Sequence, residues 1–209
     1  MELSLPFHTH YVRKLGATDA AAFRDHLLRL DSEGRRNRFN GLTDESFIER
    51  YAARSFGPQT TVFGWFEDGV LRGAAELHRP ADGTDEPAEA AFSVEQPFQC
   101  NGVGTALLRR LLHYARNRAV GRVQIITTPQ NQAMQTLARK FGATMDYVYG
   151  DTVGTIDAGQ PSAMSMMLEA FEDAQGFVSS ILTAPQAAIN KAKAHDDAEA
   201  ATGRNSRAA

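Results

Sequence analysis

Gln99-Cys100-Asn101-Gly102-Val103-Gly104-Thr105 is the stretch on which the reading of this chain turns. It lies between a strand-like run, Ala90-Ala91-Phe92-Ser93-Val94, and a helix-like run from Ala106 to Arg118. Glycines at 102 and 104 allow a tight turn without a Cβ clash, so the loop amides and the following helix N-terminus converge on one point. Such a point suits a phosphate anion. Spacing removes two ligand classes. A dinucleotide fingerprint wants a third Gly or Ala, but position 107 is Leu107 and no Rossmann-like unit precedes it. A Walker loop needs Gly-Lys-Ser/Thr, which the sequence lacks.

Downstream, Val103, Leu107, Leu111 and Tyr114, with Leu108, Leu112 and Ala115 beside them, form one apolar face at helical spacing. Arg109, Arg110 and Arg116 fall outside that face. A short strand, Val123 to Thr127, follows, then Asn131-x-x-Met134-x-x-Leu137-Ala138-x-Lys140-Phe141-Gly142-Ala143. Upstream, His10 to Leu15 reads as a first strand. Thr18 or Asp19 can cap a helix running to about Asp31, and a second helix starts near Thr43 and ends before Gly57-Pro58. Strands Thr61 to Glu67 and Val70 to Leu77 are joined by Asp68-Gly69, a hairpin dipeptide. Arg79 to Pro87 reads as an exposed loop. Thr144 to Tyr149 and Val153 to Ile156 form a last hairpin around Gly150-Asp151, and a helix follows Pro161.

From Glu89 to Ala143 the order of strand, glycine loop, helix, strand, Asn, helix and Phe-Gly resembles the core of the GNAT superfamily, the acyl-CoA-dependent N-acyltransferases. Gln-x-x-Gly-x-Gly resembles its pyrophosphate loop, and the N-terminal strand, two helices and hairpin follow the same order. The wording from Met134 to Lys140 is loosely similar to the GNAT domain of bacterial Pat-type protein lysine acetyltransferases. The fold class this implies is α+β, with a mixed, mostly antiparallel central sheet flanked by helices and an extra C-terminal helix. The expected organisation is a GNAT-like domain over 10–157, a helical extension over 158–183 and a disordered tail over 184–209, where few large apolar groups offset ordering entropy.

The 209 residues suffice for one domain with a real core. A net charge of -3 gives no overall basic field for nucleic acid or an anionic membrane. One cysteine, Cys100, excludes an intrachain disulfide framework and a thiolate zinc cluster, and no metal is expected. No long apolar run or signal segment is visible, so a cytoplasmic setting is the expectation.

The resemblance implies transfer of an acetyl or small acyl group from acetyl-CoA, as cosubstrate, to a primary amine of a small molecule or protein lysine by direct attack. A lysine-like amine of pKa about 10.4 costs roughly 4.6 kcal/mol to deprotonate at pH 7, so a base is worth having. Expelling a thiolate of pKa about 8.5 costs only about 2 kcal/mol, so an acid matters less. Glu89, in Ala88-Glu89-Ala90-Ala91-Phe92, matches the strand that carries the glutamate base in protein-acetylating members; a solvated strand-start glutamate is the bland reading. Glu76 and Glu95 are weaker alternatives. The resemblance puts backbone groups of Phe92 and Val94 along the pantetheine arm. It assigns the pyrophosphate to the loop of Gln99, Cys100, Asn101, Gly102, Val103, Gly104 and Thr105, including the Thr105 hydroxyl. Asn131 reaches the coenzyme or serves as an N-cap.

The sequence departs from the family pattern in two places. Cys100 and Asn101 stand where Gly and Arg or Lys are frequent, removing a cation from the loop, and Ala138 stands where many members have a tyrosine acid. These departures favour the alternative of a non-catalytic acyl-CoA-binding sensor. Cys100 reads as inert, the histidines as ordinary surface or helix residues, and Arg35, Arg36 and Arg38 as a solvated charge run. The helix from Met164 to Leu182 could line a homodimer contact or cover the acceptor groove; packing of its apolar residues on its own domain is the expectation.

Overall fold

The computed structural model describes residues 9–41, 43–80 and 86–183. Residues 1–8 and the tail read over 184–209 lie outside the described residues, as does part of the Arg79 to Pro87 loop.

Seven strands form one sheet in the order β1-β2-β3-β4-β5-β7-β6. They are β1 (His10–Lys14), β2 (Thr60–Glu67), β3 (Val70–His78), β4 (Ala88–Val94), β5 (Arg122–Thr127), β6 (Thr144–Val148) and β7 (Asp151–Asp157). Every neighbouring pair is antiparallel except β4 and β5, which run parallel. The β2–β3 turn carries Asp68 and Gly69 at φ 49° and 77°, the positive pair that a twist-matched two-residue hairpin requires. The last hairpin turns at Tyr149-Gly150, also both at positive φ, one residue earlier than the sequence reading.

Helices cover both faces. α4 (Val103–Asn117) and α5 (Gln132–Lys140) lie over a core of Phe63, Leu77, Phe92, Leu107, Leu111, Val123 and Ile156. On the opposite face α1 (Ala20–Arg29) and α3 (Glu45–Arg54) bury Phe23, Leu27 and Ile48 against Val62, Phe66 and Leu71. The sequence placed two helices before the first hairpin; there are three. The α1 reading ran too far, because Leu30 is extended and Asp31 starts a new helix, α2 (Ser32–Phe39), by accepting the Gly34 N–H at 2.7 Å.

The last helix, α6 (163–183), is entered through Ser162 and Ser165, whose hydroxyls bond each other's backbone N–H. It packs on its own domain, but through the side opposite to expectation. Its inward residues are Ser165, Glu169, Glu172, Gly176 and Thr183, while Met164, Met167, Phe171 and Leu182 are exposed. The reason is electrostatic. The outer face of α4 is basic, and Arg110 meets Glu169 (3.9 Å), Glu172 (3.5 Å) and Asp173, while Arg118 meets Glu169 at 2.7 Å. Arg110, read from the sequence as lying outside the apolar face, is thereby buried, with its guanidinium over the Phe63 ring.

Candidate active site

β4 and β5 begin as neighbours and then part. Ala88 aligns with Val123 and Glu89 with Gln124, and no further pair follows, although β4 continues to Val94 and β5 to Thr127. β4 keeps β3 on its other edge as far as Val94, and β5 keeps β7 as far as Thr127. Each strand therefore presents one unpaired backbone edge to a wedge that opens from Glu89. Parallel strands whose carboxyl ends diverge leave a crevice beyond those ends. Each strand also leads through a short loop into a helix, so the N-termini of α4 and α5 both stand at the mouth.

The loop before α4 has two left-handed residues, Cys100 at φ 60° and Gly102, the N-cap, at φ 83°. Gly104 is helical. Its need for a missing side chain is steric, since a Cβ there would stand 3.1 Å from the Leu137 methyl on α5. Helix bonding begins with the Ala106 N–H, which donates to Gly102 O (3.0 Å), leaving the amides of Val103, Gly104 and Thr105 without intrahelical acceptors. The Gln99 carboxamide donates to Val94 O (2.9 Å), tying the loop to the end of β4. Asn101 bonds weakly back to Pro97 O at 3.4 Å.

Asn131 caps α5, its side-chain oxygen accepting the Met134 N–H (3.1 Å). That bond occupies only the oxygen, so the capping and coenzyme readings are compatible. Ala138 is buried in the core; a Cβ on Gly154 of β7 would lie 3.2 Å from its methyl.

One cation was not anticipated. Lys140, at the C-terminal end of α5, donates to the Thr105 hydroxyl at 3.4 Å, beside the open α4 amides. Sequence offered no sign of this, because the two residues stand 35 positions apart. It restores from a neighbouring helix the positive charge that the loop lacks at Asn101.

Glu89 is exposed on the sheet face that also bears Ala91 and Ser93. Its cross-strand partner is His78, and Ala91 is opposite Glu76. Glu76, a weaker base candidate, is buried and fully engaged. It pairs with Arg38 and accepts the Tyr51 hydroxyl at 2.7 Å, and His78 Nε2 stands 3.7 Å away. Burial alone would lower the Arg38 pKa, but the Glu76 charge raises it, and burial together with that carboxylate pushes the Tyr51 phenol up. Arg38 is thus a buried ion-pair member stacked near Phe39 and Tyr51, and Arg35 donates to Leu28 O (2.6 Å) and Leu30 O (3.1 Å). The solvated-run reading fails for both, because α2 packs against β4 with these arginines turned inward, while Arg36 between them is exposed as read.

Glu95 is also engaged. His26 Nδ1 donates to Glu95 Oε1 (3.1 Å), Arg29 Nε donates to the same oxygen (2.9 Å), and Arg72 donates to Oε2 (2.9 Å). The Ser93 hydroxyl donates to His26 Nε2 at 2.9 Å, a tautomer assigned from these partners. His26, read as an ordinary helix residue, is fully buried, and burial lowers its pKa despite Glu95. Glu95 stays ionised: its hydrogen bonds from His26 and Arg29 outweigh the upward push of burial.

Among the described residues no cluster of three or more His, Cys, Asp or Glu is arranged to hold a metal ion, and no helix is long and apolar enough to cross a membrane. An open cavity of about 590 Å³ lies between β1, α4 and α6.

Among solved structures, the chain is similar to the GNAT domain of S. lividans PAT, at 20% identity over 75% of this chain and 99% of that one, with a TM-score of 0.62. It is similar to PaiA N-acetyltransferase from Thermoplasma acidophilum in complex with coenzyme A, at 17% identity over 71% and 99%, TM-score 0.54. It is also similar to the ribosomal-protein-S18-alanine N-acetyltransferase from Escherichia coli, at 18% identity over 74% and 97%, TM-score 0.56. At these identities the likeness concerns the fold. The sequence model of the acetyltransferase (GNAT) family matches residues 25–143, more than half of the sequence and the whole wedge with its two helix N-termini, and the chain belongs to that family.

Proposed function

We propose that this chain transfers an acetyl or small acyl group from acetyl-CoA or a related thioester to a primary amine, with Glu89 as general base. The observation that carries the reading is the parting of β4 and β5 beyond Glu89 and Gln124. It leaves main-chain edges that an extended chain with amides can join like an added strand. The pantetheine arm has that chemistry, and backbone groups of Phe92 and Val94 line its path along β4. Because the Val94 carbonyl is taken by Gln99, Val94 contributes through its N–H. The pyrophosphate lies at the α4 N-terminus, against amides of Cys100 to Thr105, the Thr105 hydroxyl and the Lys140 ammonium, with Asn131 on the opposite wall.

With the diphosphate at that end, the arm runs back toward the vertex, about 17 Å from Val94 to Glu89 at strand rise. The thioester then faces Glu89. The carboxylate takes a proton from the incoming ammonium, directly or through a water, and the freed amine attacks the thioester carbonyl. The tetrahedral oxyanion is held by strand N–H, the C–S bond breaks, CoA leaves as a thiolate, and the second proton of the attacking nitrogen passes to that thiolate or to water as the neutral amide forms. No covalent enzyme intermediate forms. Glu76 and Glu95 are excluded from the base role because each is already bound to arginine.

The acceptor approaches from the α2 and α3 side, where Arg38, Tyr51 and Glu76 form a fixed wall beside His78. The test is calorimetric titration with CoA and acetyl-CoA, followed by thiol-release assays with polyamine, amino-acid and lysine-peptide acceptors. Binding together with turnover in wild type, and loss of turnover with retained binding in Glu89→Gln, is expected. Binding without turnover on every amine favours the sensor alternative, and no binding at millimolar coenzyme overturns both readings.

A further inference from the structure

α6 is an inside-out helix. Its polar side is turned into the protein and held there by Arg110, Arg118 and Asn117, the last donating to Glu169 at 2.6 Å. Its other side exposes nine large apolar side chains between Met164 and Leu182, each 43–74% accessible. A helix normally buries its apolar stripe, because leaving such groups in water forfeits on the order of 1 kcal/mol or more apiece. The exposed residues also follow a rule. Met164, Met167, Phe171, Ala174, Val178 and Ile181 recur at spacings of three and four, the seam of a two-stranded coiled coil sustained through two and a half heptads.

We propose that the occupant of this face is α6 of a second copy of the chain, paired seam to seam about a two-fold axis. Three observations favour a second copy. Nine large apolar side chains at 43–74% exposure present an area of the same order as the ~800 Å² per partner of a standard stable interface. The face is self-complementary, apolar along its length with small Ala170 and Ala174 between bulky neighbours, so that knobs of one copy find holes in the other. The charged residues of α6 are committed inward to α4, so no unpaired acid or base on the seam has to be desolvated when two copies meet. This inference stands on α6 alone and is independent of the acyl-transfer reading.

Sedimentation velocity on the full chain from about 1 to 100 μM tests it. The expected species has twice the 22.8 kDa chain mass, dissociating on dilution. Phe171→Glu and Val178→Glu should each weaken self-association at least tenfold. Their circular dichroism should stay native, since both side chains face solvent in the single chain. Should either variant misfold, Met167→Glu provides the same charge at a more exposed position. Cys100→Ser combined with Ala174→Cys should form an interchain disulfide on mild oxidation if the helices pair antiparallel near Ala174. A wild type that stays at 22.8 kDa up to 100 μM overturns the proposal. So does a dimer that survives all three seam charges, or a monomer that instead cosediments with anionic phospholipid vesicles.

Discussion

Glu89 and Gln124 are the last aligned residues of two parallel strands, and from that pair onward β4 and β5 separate. A carboxylate therefore stands at the vertex of a wedge whose open end carries two helix N-termini. On the proposed reading, anion recognition and proton abstraction are separated by the length of the strand between them.

Glu89→Gln keeps the strand register and removes the proposed base. Turnover is expected to fall roughly 10²–10⁴-fold, with CoA affinity within about twofold of wild type. Raising the assay pH toward the amine's own pKa should recover part of the loss. A variant that turns over normally at pH 7 places the base elsewhere.

Lys140→Ala removes the ammonium beside Thr105 without touching the loop. CoA affinity is expected to drop about three- to tenfold, and the difference from wild type should shrink as salt screens the exposed charge. Equal affinities at low salt would leave Lys140 without a role in coenzyme binding.

Arg38→Met strands the Glu76 carboxylate in a buried site and should cost about 3–5 kcal/mol in denaturant unfolding. The double replacement Arg38→Met with Glu76→Gln should regain part of that cost, because the uncompensated charge is gone. A single variant as stable as wild type contradicts the buried pair.

His26 gives the fold a pH dependence with a definite sign. Its folded pKa is lowered by burial, against the effect of Glu95, so below about pH 6.5 the unfolded chain binds a proton that the folded one resists. Stability is full above that pH and declines on acidification, with a slope of up to ~1.4 kcal/mol per pH unit. The Glu95 pKa is lowered as well and adds a loss of the same sign at lower pH, beginning near the ordinary carboxylate range. The partners facing His26 are Glu95, Ser93 and, through Glu95, Arg29. Melting temperatures of His26→Gln and wild type, compared from pH 7.5 to 5.5, should converge as the pH falls.

Cys100→Gly and Gly102→Ala should move stability in opposite directions. Both positions are left-handed, at φ 60° and 83°. Glycine relieves the Cβ strain at the first, for a gain of up to ~1 kcal/mol. Alanine imposes it at the second, where no atom lies within 4 Å of the added carbon and the loss, on the order of 1 kcal/mol, is purely conformational. Thermal melts that rank the variants otherwise contradict the loop geometry.

The parts of this fold legible in the sequence are those encoded locally. Asp68-Gly69 names its own turn, the apolar face of α4 is complete within fifteen residues, and the glycine loop between strand and helix is contiguous. What was missed depends on partners far along the chain. α2, Ser32-Glu-Gly-Arg-Arg-Asn-Arg-Phe, has no fully buried residue and no apolar period, so its arginines read as solvated until Glu76, 38 positions later, takes Arg38. His26 is buried by Ser93 and Glu95, 67 and 69 positions away. For α6 the periodicity gave a two-sided helix correctly. Which side turns inward was settled by the basic outer face of α4, which an apolar count does not register.

That inward pairing makes the C-terminal extension a counter-ion sheath. A chain shortened to end at Asp157 would lose Glu169, Glu172 and Asp173 together and uncover Arg110, His113 and Arg118 along one exposed ridge. It should then be retained on heparin at salt concentrations where the full-length chain elutes.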